Sequence, residues 1–319
     1  MSSFLNEVSS AKLVTQTNSS STGQTGQQSV AHGMLLMIAG MIILPGIDAI
    51  AKFLSDTVQS GQVAWARFMF QILILAPFVL WRGGLTFDYR LWAHAARGFL
   101  IACATVLFFA SLKVMPLADA IAVFFIQPFI VTLLAAALLS ESFGWRRMLA
   151  IAVGFGGSLL IIKPSYELFG VTALLPVGAA CAFSFYVILT RWLAHSETAL
   201  NIQFLTGVSG CVAMSIALLI GAELQLDPLV PTWPTFSEWA LLALLGLIAT
   251  SGHYLVVMAF HRAPVAILAP FQYLEIISAT TLGLIIFGDF PDPLTWVGIA
   301  IIVGSGLYVF YRERKLAGE

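Results

Sequence analysis

Long apolar runs dominate this sequence and constrain its fold more than any other feature. A helix needs about 20 apolar residues to cross a membrane, and ten runs near that length follow one another along the chain. They cover residues 33–54, 62–81, 91–112, 116–139, 145–163, 169–191, 198–220, 237–260, 264–287 and 293–311. Turn or charge signals separate the runs, for example Lys163-Pro164-Ser165. The sequence therefore predicts an all-α integral membrane protein with ten transmembrane helices.

The composition agrees with a lipid environment. Of the 319 residues, 59% are hydrophobic and only 10% are charged, whereas soluble domains contain about 25% charged residues. The net charge is −1 and the basic residues are scattered, so no surface for nucleic acid is expected. We expect the partners to be the lipid bilayer and a small-molecule substrate, and no nucleic acid.

Basic residues are distributed unequally between the two sets of loops, and loops rich in Lys and Arg tend to stay in the cytoplasm. With the N-terminus inside, the cytoplasmic set is Lys12, Arg82, Arg90, Arg97, Arg146, Arg147, Arg191, Arg262, Arg312, Arg314 and Lys315. The opposite set is only Lys52, Lys113 and Lys163. We predict both termini in the cytoplasm, with a polar, disordered tail over 1–32 and a short tail over 312–319.

The chain also resembles itself. Shifting it by 148 positions aligns two prolines, two alanines and two glycines without a gap, and it pairs two acids that each end an apolar run. These pairs are Pro116 with Pro264, Ala118 with Ala266, Gly156 with Gly304, and Glu141 with Asp289. The pattern predicts two five-helix repeats, 33–163 and 169–311. Because five is odd, the copies are inverted in the membrane, which is typical of alternating-access carriers. A scaffold or a membrane enzyme is the alternative.

Short motifs recur in order in both halves. They are Ala64-Trp65-Ala66-Arg67-Phe68, Pro116-Leu117-Ala118-Asp119-Ala120, Gln127-Pro128, Glu141, His261-Arg262-Ala263-Pro264-Val265-Ala266, Tyr273-Leu274-Glu275 and Phe287-Gly288-Asp289. Together they resemble the drug/metabolite transporter superfamily, in its ten-span branch with two EamA-type domains. The chain departs from that pattern at Ile276, where proline is frequent, and at Asp289, where glutamate is frequent. The resemblance implies a secondary transporter of the bacterial inner membrane whose midplane site is lined by spans one, three, four, six, eight and nine.

Two segments are similar to members that take up riboflavin or S-adenosylmethionine. They are Asp48-Ala49-Ile50-Ala51-Lys52 and Ala269-Pro270-Phe271-Gln272-Tyr273-Leu274-Glu275. Aromatic residues make up 12% of the chain, and with few fixed charges they favour a planar, largely neutral heterocycle. Riboflavin uptake is therefore the first candidate function. The alternatives are uptake of S-adenosylmethionine and export of amino acids or other metabolites.

Charged side chains inside apolar runs are costly in lipid and are therefore candidate functional residues. Glu275 lies in the ninth run, with Gln272 on nearly the same face and Tyr273 beside it. Its carboxylate is a candidate proton carrier, and the alternative is a packed hydrogen bond to a neighbouring helix. Asp48 and Lys52 are four residues apart, which suits either a structural ion pair or a coupling or gating site. Arg67 is expected to pair with a carboxylate or with a substrate anion, or to extend to the membrane interface.

Further polar and aromatic residues share faces within their runs and are candidate substrate contacts. They are Ser251 and Tyr254 in the eighth run, Phe124 and Gln127 in the fourth, and Ser184 and Tyr186 in the sixth. Each of these residues is also compatible with simple packing or with a hydrogen bond between helices.

Other classes of membrane protein lack support in the sequence. No GxxxxGK[ST] motif or long loop occurs, so we expect no ATPase subunit. The five histidines are dispersed without metal-ligand spacing, and Cys103, Cys181 and Cys211 lie in apolar runs without a CxxC pattern. We therefore expect no enzyme activity, no metal and no cofactor. No selectivity-filter pattern points to a channel.

Overall fold

The structure is a computed structural model that describes residues 30–82, 91–139, 145–193, 198–263 and 268–317. Within these ranges the regular structure is helical, and no β-strand occurs. Helices α1 to α12 cover 30–43, Pro45–Leu54, Ser60–Trp81, Leu91–Leu112, Leu117–Phe124, Gln127–Leu139, Trp145–Phe169, Leu175–Leu193, Ala199–Leu224, Phe236–Arg262, Leu274–Leu282 and Pro293–Ala317. Two 3₁₀ helices, Gly170–Leu174 and Ala269–Tyr273, and one π-helix, Gly283–Phe287, complete these elements. Most of the predicted N-terminal tail, 1–29, and the repeat residues Glu141, Pro264 and Ala266 lie outside the described residues.

Six segments of the described chain are long and apolar enough to cross a membrane. They are Val30–Leu54, Ser60–Trp81, Leu91–Leu112, Ala152–Thr190, Ala199–Leu224 and Phe236–Ala259. Shorter apolar helices cover Leu117–Val131, Phe271–Phe287 and Pro293–Tyr308. The architecture is that of an all-helical membrane protein, as the apolar runs predict.

Proline accounts for two interruptions within predicted runs. Helix α1 gives way to α2 at Leu44, directly before Pro45, because proline has no N–H to continue the helical hydrogen bonds. The fourth run is divided into α5 and α6 at Phe125 and Ile126, shortly before Pro128. Both breaks leave backbone groups that the surrounding helices must cover, because lipid cannot satisfy them.

Two further helices differ from these patterns. Helix α11 continues through Glu275 and Ile276, so no break follows the carboxylate. The break predicted at Lys163-Pro164-Ser165 is wrong, because α7 continues to Phe169. That helix ends at Gly170, whose φ of 61° is a left-handed conformation that favours glycine. A membrane helix tolerates an internal proline where neighbours supply hydrogen bonds, so Pro164 does not end it.

The helices pack in layers that bring distant parts of the chain together. Helix α3 packs between α9 and α10, and α4 packs against α8 and α9. Helix α7 packs along α12, while α2 contacts both α10 and α11. Helix α11 also contacts α5. The short interrupted helices α2, α5 and α11 therefore meet near the centre of the molecule.

Glycines allow α7 and α12 to approach closely. A Cβ atom added at Gly157 would lie 2.8 Å from Ile301 Cγ2 and 3.1 Å from the carbonyl oxygen of Gly298. A Cβ added at Gly298 would lie 2.8 Å from the carbonyl oxygen of Gly157. The two backbones are therefore in direct contact, which is the usual way in which membrane helices gain packing energy.

Most hydroxyl groups of the bundle are satisfied within their own helix. Thr206 Oγ1 donates to the carbonyl of Ile202 at 2.6 Å, and Thr250 Oγ1 donates to the carbonyl of Gly246 at 2.7 Å. Serines and threonines in α4, α8, α9 and α11 make the same bond to the carbonyl four residues earlier. This pattern removes the cost of an unpaired hydroxyl in lipid.

We expect Gly157→Ala and Gly156→Ala to have opposite effects on stability. The Gly157 methyl overlaps α12, so it should lower the free energy of unfolding by about 1 to 3 kcal/mol. Gly156 has no atom within 4 Å of its added Cβ, so alanine there should be neutral or stabilise the helix by roughly 0.5 kcal/mol. Thermal unfolding of the detergent-purified variants measures both. Equal effects would contradict the direct contact of the two helices.

Candidate functional site

A buried arginine lies at the centre of the bundle. Arg67 on α3 is only 7% exposed, and its Nη1–H donates to Thr105 Oγ1 on α4 at 2.5 Å. Thr105 can accept this bond because its own hydroxyl proton goes to the carbonyl of Ile101 at 2.8 Å. On the other side, Arg67 Nη2 lies 3.3 Å from His253 Nε2 on α10. The guanidinium thus joins three helices.

The hydrogen bonds around His253 define which ring nitrogen carries the proton. His253 Nδ1 lies 2.9 Å from the carbonyl oxygen of Ala249, which can only accept, so Nδ1 is the donor. Nε2 is then left as an acceptor for the N–H of Arg67. A neutral imidazole in this tautomer satisfies both contacts, and the network therefore assigns His253 as a neutral partner of Arg67.

Two carboxylates belong to the same centre. Asp48 on α2 interacts electrostatically with both Arg67 and Glu275, and Glu275 lies in the first turn of α11. Arg67 offsets one of the two negative charges. His253 is neutral, so the second carboxylate needs a further cation or a proton. We call Asp48, Arg67, His253 and Glu275 the central cluster.

An aromatic series runs beside the central cluster. The ring centroids of Phe108 on α4 and Phe124 on α5 are 5.4 Å apart, and Phe124 lies 5.5 Å from Phe183 on α8. Phe183 in turn lies 5.4 Å from Tyr186, which also interacts electrostatically with Arg67. These four residues, Phe108, Phe124, Phe183 and Tyr186, form what we call the aromatic wall. Their spacing is that of stacked and edge-on aromatic pairs.

The structure brings several predicted site residues together. Phe124 and Tyr186 are joined through Phe183, which the sequence analysis did not select. Ser184 is fully buried and lies next to Gln127, because its hydroxyl lies 3.3 Å from the Gln127 carbonyl oxygen and 2.6 Å from that of Ala180. The Ser184 contact joins α8 to α6 behind the wall.

Other predicted residues lie apart from the central cluster. Ser251 is exposed on α10 and its hydroxyl donates to the Leu247 carbonyl of the same helix, and Tyr254 one turn later is 37% exposed. The ring of Tyr273 lies 5.7 Å from Phe125, and its hydroxyl approaches Gly306 on α12. Tyr273 therefore packs between α5 and α12.

Gln272 is half-buried in the 3₁₀ helix Ala269–Tyr273. It comes three residues before Glu275, but the two lie in different helices of the ninth run. The regular helix on which the sequence analysis placed both residues begins only at Leu274.

The ion pair suggested between Asp48 and Lys52 is wrong. Lys52 Nζ lies 2.7 Å from Asp289 Oδ2, at the far end of the π-helix, and donates to the carbonyl of Met115 at 2.9 Å. Asp48 interacts with the central cluster instead. A lysine and an aspartate four residues apart can form an ion pair unless another carboxylate lies closer to the lysine. Here Asp289, from the second half of the chain, lies closer to Lys52.

An open cavity of about 750 Å³ lies at the same end of the molecule as the Lys52–Asp289 pair. Lys52, Leu112, Lys113, Glu238 and Phe287 contribute to its lining. The Lys52 ammonium also lies 5.1 Å from the centroid of the Phe287 ring. The ion pair thus joins the end of α2 to the end of the ninth run, and it lies beside the open cavity.

Two basic or potentially basic residues were misjudged from the sequence. Arg97 was counted as a cytoplasmic loop residue, but it is fully buried within α4. His253 received no role, although it contacts Arg67. Both residues are ionisable and lie inside apolar runs, and this is the sequence signal that marks them as functional candidates.

We expect the charges of Lys52 and Asp289 to be energetically coupled. Lys52→Asp alone places two carboxylates together and should lower the melting temperature of the purified protein. Adding Asp289→Lys restores an opposite pair, so the double variant should be more stable than the sum of the single effects by about 1 kcal/mol.

The matched control replaces Lys113, an exposed lysine that lines the same cavity. Lys113→Asp combined with Asp289→Lys should show additive effects, since no ion pair joins these two residues in the described structure. Additivity of the Lys52 pair as well would remove its role in holding the two halves together.

Comparisons with known proteins agree with this architecture. The profile of the EamA-like transporter family matches residues 31–163 and again residues 170–311. A crystal structure superposes with a TM-score of 0.62 at 20% identity, covering 90% of this chain and 99% of the other, which shows a common fold.

The similar proteins include transporters of two different small molecules. The S-adenosylmethionine uptake transporter of Rickettsia bellii is 29% identical over 84% of this chain and 89% of its own length. The riboflavin transporter of Rhizobium johnstonii is 27% identical over 89% of this chain and 92% of its own length. The family profile covers most of the chain, and its members are transporters rather than enzymes. The chain therefore belongs to the EamA-like transporter family and is a multi-pass protein of the bacterial inner membrane.

Proposed function

We propose that the chain is a ten-span carrier built from two inverted five-helix repeats, 33–163 and 169–311. Residues 1–32 and 312–319 are its cytoplasmic tails. Each of the ten apolar runs overlaps at least one described helix, and the family profile matches twice along the chain, which supports this arrangement. An odd number of spans in each repeat gives the copies opposite orientations.

The helix contacts support the inverted repeat as well. In the two repeats, α4 corresponds to α10 and α2 corresponds to α8. The contact of α4 with α8 therefore has the contact of α10 with α2 as its counterpart, and both contacts occur. Exchanging the halves likewise converts the contact of α4 with α9 into that of α10 with α3, and the contact of α6 with α8 into that of α11 with α2. The contacts of α3 with α9 and of α7 with α12 convert into themselves. This reciprocity is expected of two similar units related by a pseudo-two-fold axis.

Fusions to a reporter test this topology. Green fluorescent protein fluoresces when its carrier leaves it in the cytoplasm, and alkaline phosphatase is active only when it is exported. We expect fluorescence from fusions after Glu319 and phosphatase activity from insertions after Asp56. The reverse result would contradict the cytoplasmic termini.

We infer that the substrate is an organic cation with a planar heterocycle, and that the chain takes up S-adenosylmethionine. The observation that carries this inference is the composition of the central cluster, in which Asp48 interacts with both Arg67 and Glu275, so that two carboxyl groups accompany one guanidinium. S-adenosylmethionine supplies a permanent sulfonium charge and an ammonium group, whereas riboflavin is uncharged. The attraction between a cation and the second carboxylate is stronger in a low-dielectric site than in water, and it offsets the cost of removing the cation from water.

The aromatic wall fits the remainder of such a molecule. A purine ring stacks on phenylalanine and tyrosine faces, and a sulfonium is attracted to the same faces as other cations are. The wall lies beside the central cluster, since Tyr186 interacts with Arg67. The relative from Rickettsia bellii supports uptake as the direction of transport.

Riboflavin is the second candidate. The aromatic wall suits an isoalloxazine ring as well as a purine, and the relative from Rhizobium johnstonii is a riboflavin transporter. Riboflavin leaves one of the two carboxylates without a substrate cation, so its transport requires a proton at Asp48 or Glu275. The two candidates therefore differ in what neutralises the central cluster.

Alternating access follows from the same residues. In the absence of substrate, Arg67 neutralises the charge of one carboxylate of the central cluster, and a proton or an ordered cation neutralises the other. Substrate entering from one side replaces that proton or cation, which allows the helices that carry Asp48 and Glu275 to approach each other. The Lys52–Asp289 pair opens and closes the path at the end opposite the cytoplasm.

Transport into proteoliposomes distinguishes the two substrates. We expect the purified full chain to accumulate radiolabelled S-adenosylmethionine with saturable kinetics and to leave riboflavin outside. Accumulation of riboflavin alone, together with growth of a riboflavin auxotroph that lacks its own importer, would favour the second candidate. Accumulation of neither compound would discard both substrates.

The same assay tests the carboxylate. Glu275→Gln removes the negative charge without changing the size of the side chain, so transport should fall at least about tenfold while membrane expression stays normal. The matched control is Glu223→Gln, at an exposed position of α9, which should transport as the unaltered chain does. Normal transport by Glu275→Gln would remove this residue from the mechanism.

A further inference from the structure

Arg97 is a second buried arginine, at the end of the aromatic wall. It lies in the second turn of α4 and has no exposed surface. Its Nε–H donates to Thr190 Oγ1 on α8 at 3.1 Å, and its guanidinium carbon lies 5.1 Å from the centroid of the Tyr186 ring. One acceptor and one ring from α8 therefore hold the side chain in one orientation.

One edge of the guanidinium is left open. Arg97 Nη2 has only a long contact of 3.5 Å to the Tyr186 hydroxyl, and Nη1 has no hydrogen-bond partner among the described residues. No carboxylate in the described part of the chain pairs with Arg97 either. Arginine keeps its charge even when it is buried, so this unpaired edge is costly unless something else neutralises it.

The position of Arg97 connects it to the proposed substrate site. Tyr186 contacts Arg97 through its ring and interacts electrostatically with Arg67, so it lies between the two arginines. Along α4, Thr105 follows Arg97 by eight residues, or ~12 Å of helix. Because Thr105 bonds to Arg67, the two arginines contact positions of α4 that are separated by about the length of an extended nucleoside-sized zwitterion, and Tyr186 of the aromatic wall lies between them.

We propose that Arg97, positioned by Thr190 and Tyr186, binds the carboxylate of the transported substrate. The Nη1 and Nη2 atoms on this edge can donate two parallel hydrogen bonds, one to each oxygen of a carboxylate. This inference rests on the proposed function and narrows its substrate class to zwitterions that carry a carboxylate at one end and a cation further along. The cation meets Asp48 and Glu275 while the carboxylate meets Arg97.

The proposal explains how the carrier selects among related molecules. A substrate without the carboxylate leaves the Arg97 charge unpaired in a dry site, and a site built to pair a charged group rejects analogues that lack it. Uncharged vitamins and simple organic cations are therefore disfavoured, although the aromatic wall would accept their rings.

The test compares S-adenosylmethionine with its decarboxylated analogue, which keeps the adenosine, the sulfonium and the amine. In proteoliposomes containing the full chain, uptake efficiency of S-adenosylmethionine should exceed that of the analogue at least about tenfold. Arg97→Gln should abolish this preference, because it lowers uptake of S-adenosylmethionine and raises uptake of the analogue, which then no longer leaves a charge unpaired. Arg97→Lys keeps the charge without the fork and should retain part of the preference.

The control is Arg82→Gln, at an exposed position after α3, which should keep the full preference. Undiminished uptake of the analogue by Arg97→Gln also shows that the variant is folded and active. Equal loss of both compounds would make Arg97 a structural residue and overturn the proposal, and so would an unchanged preference.

Uptake by the unaltered chain distinguishes failure of the carboxylate site from failure of the proposed function. Equal uptake of both compounds by the unaltered chain would overturn the carboxylate site and leave S-adenosylmethionine transport standing. Uptake of neither compound by the unaltered chain would overturn the proposed function and the carboxylate site together.

Discussion

The centre of this protein depends on one guanidinium that cannot give up its charge. Arg67 donates hydrogen bonds to Thr105 of α4 and His253 of α10. It also interacts electrostatically with Asp48 of α2. Asp48 interacts in turn with Glu275 of α11. Helices α2, α3 and α4 precede residue 163, and α10 and α11 follow residue 169. Parts of the chain that are far apart in sequence are therefore held together by the need to neutralise one buried charge.

The positions of the membrane helices are the best-predicted part of the fold, because the lipid environment restricts which segments can cross it. Lipid offers no hydrogen bonds, so every crossing segment must be apolar and helical, and the predicted runs agree with the described helices within a few residues for most of the chain. The breaks follow less simply. Pro128 lies close behind an interruption, whereas α7 runs through Pro164 and ends only at Gly170. Whether a proline ends a helix depends on the neighbours that cover the freed carbonyl, and one sequence does not reveal those neighbours.

The candidate site was predictable in kind and only partly in detail. Asp48, Arg67 and Glu275 stand out because they are charged within apolar runs, and the structure does bring these three into one electrostatic group. Their partners depend on which helices pack together, which a local spacing rule does not contain. The same limitation explains why the spacing of Asp48 and Lys52 leaves a structural ion pair and a gating site equally open, although the partner of Lys52 is Asp289 from the other half of the chain.

The hydroxyl groups that bond to their own helices have a mechanical consequence. Thr206 and Thr250 donate to carbonyls one turn earlier in the same helix, so neither hydroxyl depends on an adjacent helix for its partner. When one helix slides or tilts past another, such groups lose no hydrogen bond and expose no unsatisfied atom. Few hydrogen bonds therefore have to break when the helices of the bundle move relative to one another. The few side chains that do bond across helices are the contacts that such a motion must break.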